Sequence, residues 1–235
     1  PEVDTAALES TLGSDVEVIG CDLLDAAALE RLCGDLGARD DLQVLVANAG
    51  MVVPGPVVDT SREHIDAELD LNLRSALHLV QAVVPGFVER GRGHVLATVS
   101  MGGILPLPDS ATYSASKAGL RAFLAALNCE LAGTGVQVSG IYPAAVDTPM
   151  LRWEAAHGGS ALNFFGSVLE VDRIDGAYAK ALDTGKLEVY APYTDSIITR
   201  LGSAFPALLP RFIPFASRIG ERGRARFLER SRSAP

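Results

Sequence analysis

Cysteine is scarce. Cys21, Cys33 and Cys129 are odd in number and contain no C-x-x-C pair, which excludes a disulfide framework and a thiolate zinc site. They read as structural thiols of a reducing compartment. No run reaches the roughly eighteen uninterrupted apolar residues of a spanning helix, and the N-terminal stretch lacks the layout of a signal peptide. A soluble, cytoplasmic protein is expected. Basic charge is also short, with 20 Lys and Arg against 29 Asp and Glu, and the net charge of −9 excludes a general phosphate-backbone binder. The expected partner is a small molecule, not nucleic acid. His64, His78, His94 and His157 show no ligand spacing, so no metal is expected. Lysine is scarcer still, at Lys117, Lys180 and Lys186 only.

What is present is a 235-residue chain, 48% hydrophobic, with strand and helix signals in alternation. Residues 4–13 read as a helix end stopped by Gly13, and 16–21 (V-E-V-I-G-C) as a strand. Asp25 caps a helix over 26–37, and 42–47 (L-Q-V-L-V-A) is a short apolar run of the kind buried in a parallel sheet. A long helical pattern covers 61–90, with a break near Pro85. Strands follow at 94–99, 136–142 and 187–191, and helices at 111–132 and from a capping Asp172 to Asp183. Residues 150–170 fit no single period. This alternation with short connections predicts an α/β fold, a doubly wound parallel sheet flanked by helices, which binds ligands at the carboxyl ends of its strands.

Three loops follow predicted strands: Asn48-Ala49-Gly50, Ser100 to Gly103, and Pro143 to Thr148. Tyr113 and Lys117 lie one helical turn apart, so a phenol and an ammonium share a face. A cation beside a phenol favours the phenolate and lowers its pKa toward the working range of a general base. Ser100 adds a hydroxyl, and Asn72 a polar group within the 61–90 helix.

These residues, in the order C-D-L-L-D at 21–25, A-N-A-G at 47–50, Asn72, Ser100, Tyr113/Lys117 and P-A-A-V-D-T-P-M at 143–150, resemble the classical short-chain dehydrogenase/reductase family. The resemblance implies a Rossmann-like domain that binds NAD or NADP and interconverts secondary alcohols and ketones. Tyr113 becomes the general acid/base. Lys117 depresses its pKa and holds the nicotinamide ribose, Ser100 binds the substrate oxygen, and Asn72 positions a relay water. Asp22 meets the adenine, with Leu23 packed beside it. Asn48, Ala49 and Gly50 support the cofactor turn, and Pro143 and Thr148 the nicotinamide. Asp22 equally suits a turn, and Thr148 a helix cap. A homo-oligomer through the helices at 61–90 and 111–132 is likewise implied.

The family's glycine-rich turn, T-G-x-x-x-G-x-G, is missing; Gly13 and Gly20 stand alone. The expectation is a truncated Rossmann-type catalytic domain over 1–193 without the family's first two strands, which leaves the 42–47 strand as an exposed edge. The rival expectation is a non-catalytic relative that self-associates but cannot hold a dinucleotide. Residues 194–235 form a helical, Pro- and Arg-containing extension packed on or next to the domain. Residues 211–232 carry seven arginines and two glutamates, whereas 1–60 carry twelve acids and two arginines. Three readings of the extension stand: a subunit contact, a wall of an apolar substrate cavity, and a peripheral membrane contact.

Overall fold

The structure, a computed structural model, describes residues 16–233. Four parallel strands, β1 (Val44–Ala47), β2 (Gly93–Thr98), β3 (Val136–Pro143) and β4 (Glu188–Ala191), lie side by side in chain order. Leu45 pairs with Val95, Leu96 with Ser139 and Ile141 with Val189, so all strand ends that precede the site-bearing loops fall on one side.

Among the described residues, eight α-helices connect and flank the strands: α1 (Ala26–Gly37), α2 (Arg62–Leu69), α3 (Ser75–Glu89), α4 (Ala111–Glu130), α5 (Pro149–Ala156), α6 (Asp172–Thr184), α7 (Tyr193–Ser203) and α8 (Leu209–Ser233). Val80, Val83 and Phe87 of α3 and Leu120 and Leu124 of α4 pack against Val95, Ala97 and Val138 on one face of the sheet. Ile174, Ala177 and Ala181 of α6 cover Leu96, Ile141 and Val189 on the other. Two covered faces are why β2 and β3 are buried along almost their whole length. Each fully buried Val, Leu or Phe contributes about 1.5–3 kcal/mol. The doubly wound sheet and the helical C-terminal extension agree with the sequence.

Local chemistry sets most boundaries. Asp25 accepts hydrogen bonds from the N–H groups of Ala27 and Ala28 and starts α1 as expected. Three expectations need correction. Residues 16–21 are not a strand: Val16 and Ile19 are exposed, and among the described residues β1 pairs only with β2, leaving 16–21 no ladder to join. Pro85 does not break α3, because the carbonyl it leaves unpaired belongs to Gln81, at an exposed position open to water. The irregularity lies earlier, in a π-helical turn over Asp70–Arg74. Asp172 sits inside the first turn of α6 with Asp175, where it complements the helix dipole instead of capping. The helix expected over 4–13 falls outside the described residues.

α8 is seated on the body through glycine. A Cβ on Gly220 would lie 2.0 Å from the carbonyl oxygen of Ala161, and one on Gly223 2.2 Å from that of Phe164, so only glycine lets the helix approach this closely. Phe227 then packs against Phe164, Leu151 and Ala155.

Candidate active site

The loops after β1, β2 and β3 meet over a cavity of about 1180 Å³ lined by Asn48, Ala49, Gly50, Ser100, Pro143 and Thr148 and entered from α4 by Tyr113 and Lys117. Tyr113 and Lys117 reach it because α4 starts close to the short turn Met101–Gly103. A Cβ on Gly103 would stand 2.7 Å from the Lys117 carbonyl carbon. Ser100 leads into that turn, and its Oγ accepts a hydrogen bond from Gly102 N–H at 2.9 Å. The hydroxyl proton is left for another acceptor.

Lys117 is 3% exposed, and its Nζ donates to the Thr98 carbonyl at 2.8 Å. The same Nζ lies 5.9 Å from the Tyr113 ring centroid. Burial pushes the lysine down to about 8. The tyrosine moves opposite to expectation. Burial pushes the Tyr113 phenol up to about 12; the Ser100 hydroxyl pulls it down, while Glu154 and Glu68 push it further up. Desolvation thus sets the resting state: the ammonium faces the ring, and the phenol is protonated at neutral pH.

Asn72 lies beneath the cavity, not in its lining. The π turn holds it fully buried, where Oδ1 accepts from Met51 N–H at 2.7 Å and Nδ2 donates to the Met51 carbonyl at 2.8 Å and to Ser116 Oγ at 3.2 Å. It pins the loop after β1: a Cβ on Gly50 would sit 3.2 Å from Asn72 Oδ1 and 3.5 Å from Lys117 Nζ. Asn48 Oδ1, Thr98 Oγ1 and Tyr178 OH form a mutually contacting triangle, with Asn48 Oδ1 at 2.6 Å from Thr98 Oγ1 and 3.1 Å from Tyr178 OH, in which the two hydroxyl protons serve two of the three contacts. Thr148 Oγ1 accepts from Leu151 N–H at 3.2 Å and caps α5 while lining the cavity. Asp22 and Leu23 are not brought to it. The Asp22 carboxylate closes a turn on Leu24 N–H, and Leu23 packs against the core.

Two glutamates went unnoticed in the sequence. Glu154 lines the cavity at 5% exposure, and its Oε1 accepts from Ser110 Oγ, Ser160 N–H and Asn163 Nδ2 at 3.3, 3.3 and 3.0 Å; burial raises its carboxyl. Glu68, 1% exposed, accepts from Val53 N–H at 3.2 Å, and burial lifts it to about 7. The available signal was spacing: Glu68 and Asn72 are one turn apart, and Glu154 follows buried Leu151 at i+3.

A parallel sheet with helices on both faces and a cavity at its strand ends defines a doubly wound α/β domain of the nucleotide-binding kind. Residues 3–157 match the family described as short chain dehydrogenase, and the chain belongs to that family. It is similar to an uncharacterised short-chain type dehydrogenase/reductase of Sinorhizobium fredii, 36% identical over 63% of this chain and 59% of the relative. The 1-deoxy-11-beta-hydroxypentalenate dehydrogenase of Streptomyces avermitilis is 32% identical over 82% of this chain and 71% of its own. The fold matches a short-chain dehydrogenase from Sphingobium yanoikuyae in complex with NADPH, with TM-score 0.73, 29% identity and coverage of 88% and 80%. The chain spans 47–59% of the length of the first curated relatives it matches.

Proposed function

We propose that the chain is the catalytic part of a nicotinamide-dependent oxidoreductase that interconverts a secondary alcohol and a ketone. The reading rests on one observation: Ser100, Tyr113 and Lys117 share a single cavity at the strand ends. NAD or NADP, when bound, supplies the hydride chemistry. The cavity fits the nicotinamide end, since Gly50 leaves open space beside Lys117 Nζ and Thr148 and Pro143 close the other side. Asp22 and Leu23 add nothing to that fit.

In the reducing direction the Tyr113 phenol, protonated at rest, donates its proton to the carbonyl oxygen. Ser100 Oγ, already oriented by Gly102 N–H, gives its own proton as a second hydrogen bond where negative charge develops. The Lys117 ammonium stabilises the phenolate left behind, and its two remaining donors suit ribose hydroxyls. Asn72 acts as a positioning residue for the loop after β1. The apolar cavity walls favour a lipophilic substrate.

Titration with NADH and NADPH, followed by nicotinamide fluorescence, tests the binding half; no saturable change with either overturns the reading. Tyr113→Phe is expected to lower turnover by about 10²–10⁴-fold with cofactor affinity nearly unchanged. Wild-type turnover by that variant would refute the proton donor assigned here.

A further inference from the structure

Helices α7 and α8 and the connection between them hold large apolar side chains in the open. Ile198, Leu201, Phe205 and Phe212 are 66, 62, 61 and 64% exposed, and all four also line the cavity that holds Ser100 and Tyr113. They therefore form its rim. Met150, Phe165 and Val171, at 40, 47 and 50% exposure, belong to the same rim. Beyond it Phe215 and Ile219 continue the apolar surface along α8, at 65 and 36%. A contiguous apolar surface of this kind marks an interaction site, whereas scattered exposed residues do not.

The second property of this face is its charge. Gly220, Gly223 and Phe227 turn the inner side of α8 toward the body. At 100° per residue, Arg211, Phe215, Arg218 and Arg222 lie on the side opposite Gly220, Gly223 and Phe227, with Arg226, Ile219 and Phe212 on the flank between, and all seven are exposed. Arg211, Arg218 and Arg222 take part in none of the ion pairs among the described residues. Residues 211–232 carry seven arginines and two glutamates in a chain of net charge −9, so this is the face a negative surface attracts.

We propose that this face docks onto an anionic lipid bilayer, with the cavity mouth opening into the membrane, so that the substrate is a lipophilic alcohol or ketone taken from the acyl region. The substrate clause rests on the oxidoreductase reading; the docking does not. α8 lies in the plane of the interface: phenylalanines enter at the headgroup boundary while the neighbouring arginines bind lipid phosphates. No helix among the described residues is long and apolar enough to cross a membrane, which suits a surface contact. A second copy of the chain fits this face less well, because a two-fold contact sets the arginine stripe against itself.

Flotation of the full chain with vesicles of phosphatidylcholine alone, or mixed with phosphatidylglycerol, reads the docking directly. About tenfold more protein is expected with the anionic vesicles, falling in high salt. Phe215→Ser/Ile219→Ser and Arg211→Glu/Arg218→Glu/Arg222→Glu alter no cavity-lining residue and are expected to keep the circular dichroism of the wild type. Both should lose the vesicle binding. Failure of the wild type to float, or flotation of both variants equal to that of the wild type, overturns the docking. So does light scattering that shows a dimer dispersed by Phe215→Ser, which assigns the face to self-association. For the substrate clause, wild type is expected to reduce a long-chain ketone held in anionic vesicles about tenfold faster than Phe215→Ser/Ile219→Ser, with equal rates on a water-soluble ketone. Equal rates on both ketones overturn that clause alone. Flotation without cofactor-dependent turnover leaves docking standing and removes the oxidoreductase reading.

Discussion

Tyr113 and Lys117 exert opposite demands on one small volume of low dielectric. Burial makes the phenol harder to ionise and the ammonium easier to discharge, so the pair rests as tyrosine and a lysine poised near 8. The ammonium therefore matters after proton donation, when a phenolate lies beside it. As pH rises through about 8 the lysine loses its charge, and ketone reduction should fall. A kcat/KM profile for reduction from mildly acid to alkaline pH checks this; a profile level well past pH 9 would refute it. Glu68 gives a stability test. Its carboxyl rises from the ordinary 4.5 to about 7, so it is harder to ionise folded than unfolded. Its burial penalty is absent below about pH 4.5 and complete above about 7: stability falls as pH climbs through that window. A gap of that size corresponds to about 3 kcal/mol. Glu68→Gln, which keeps an acceptor for Val53 N–H, should raise the unfolding free energy at pH 8 by about 2–3 kcal/mol and by far less at pH 5. Denaturant titration at the two pH values measures the difference. That Tyr113, Lys117 and Ser100 line one cavity was legible from the four-residue step within a helix and from a serine that closes an apolar strand run. Glu68 and Glu154 were not, since a glutamate in a helix reads as solvated until tertiary packing buries it.

At the level of elements, the readable boundaries are those with local chemistry. The Asp25 cap, the apolar runs of β2 and β3 and the period of α4 carry their own evidence. The segment 16–21 had strand composition but no partner among the described residues, and pairing is a property of two segments. The π turn was equally unreadable, because Leu71-Asn72-Leu73 is compatible with an unbroken α-helix. Its effect is to turn Asn72 inward onto Met51. π turns recur at functional sites, and this one anchors the loop that borders the cavity. Asn72→Ala leaves the Met51 N–H and carbonyl without that partner at a buried site, which costs about 2–4 kcal/mol. For a chain of this size that lowers Tm by roughly 5–15 °C, measurable by calorimetry. An unchanged Tm would mean that the loop is held by other contacts.

For the whole molecule, the decisive feature is an asymmetric sheet. Both outer strands have an unpaired edge among the described residues, but β4 packs against α7, whereas β1 presents Val44 and Val46 at 38 and 47% exposure. A flat edge with exposed β-branched side chains templates pairing with another chain. What opposes this is the net charge of −9, a long-range repulsion that weakens as salt shortens the Debye length from about 10 Å at 0.1 M to about 3 Å at 1 M. Association through β1 should therefore grow with ionic strength, the reverse of the arginine-mediated vesicle binding of α8. Val46→Glu places a charge on that strand at a position already half in water, so its effect on stability should stay within about 1 kcal/mol. Static light scattering at low and high salt is expected to show the wild type growing in mass at high salt while the variant holds its low-salt mass. If both grow alike, the association runs through another surface, and the apolar rim of α7 and α8 is then the face to alter.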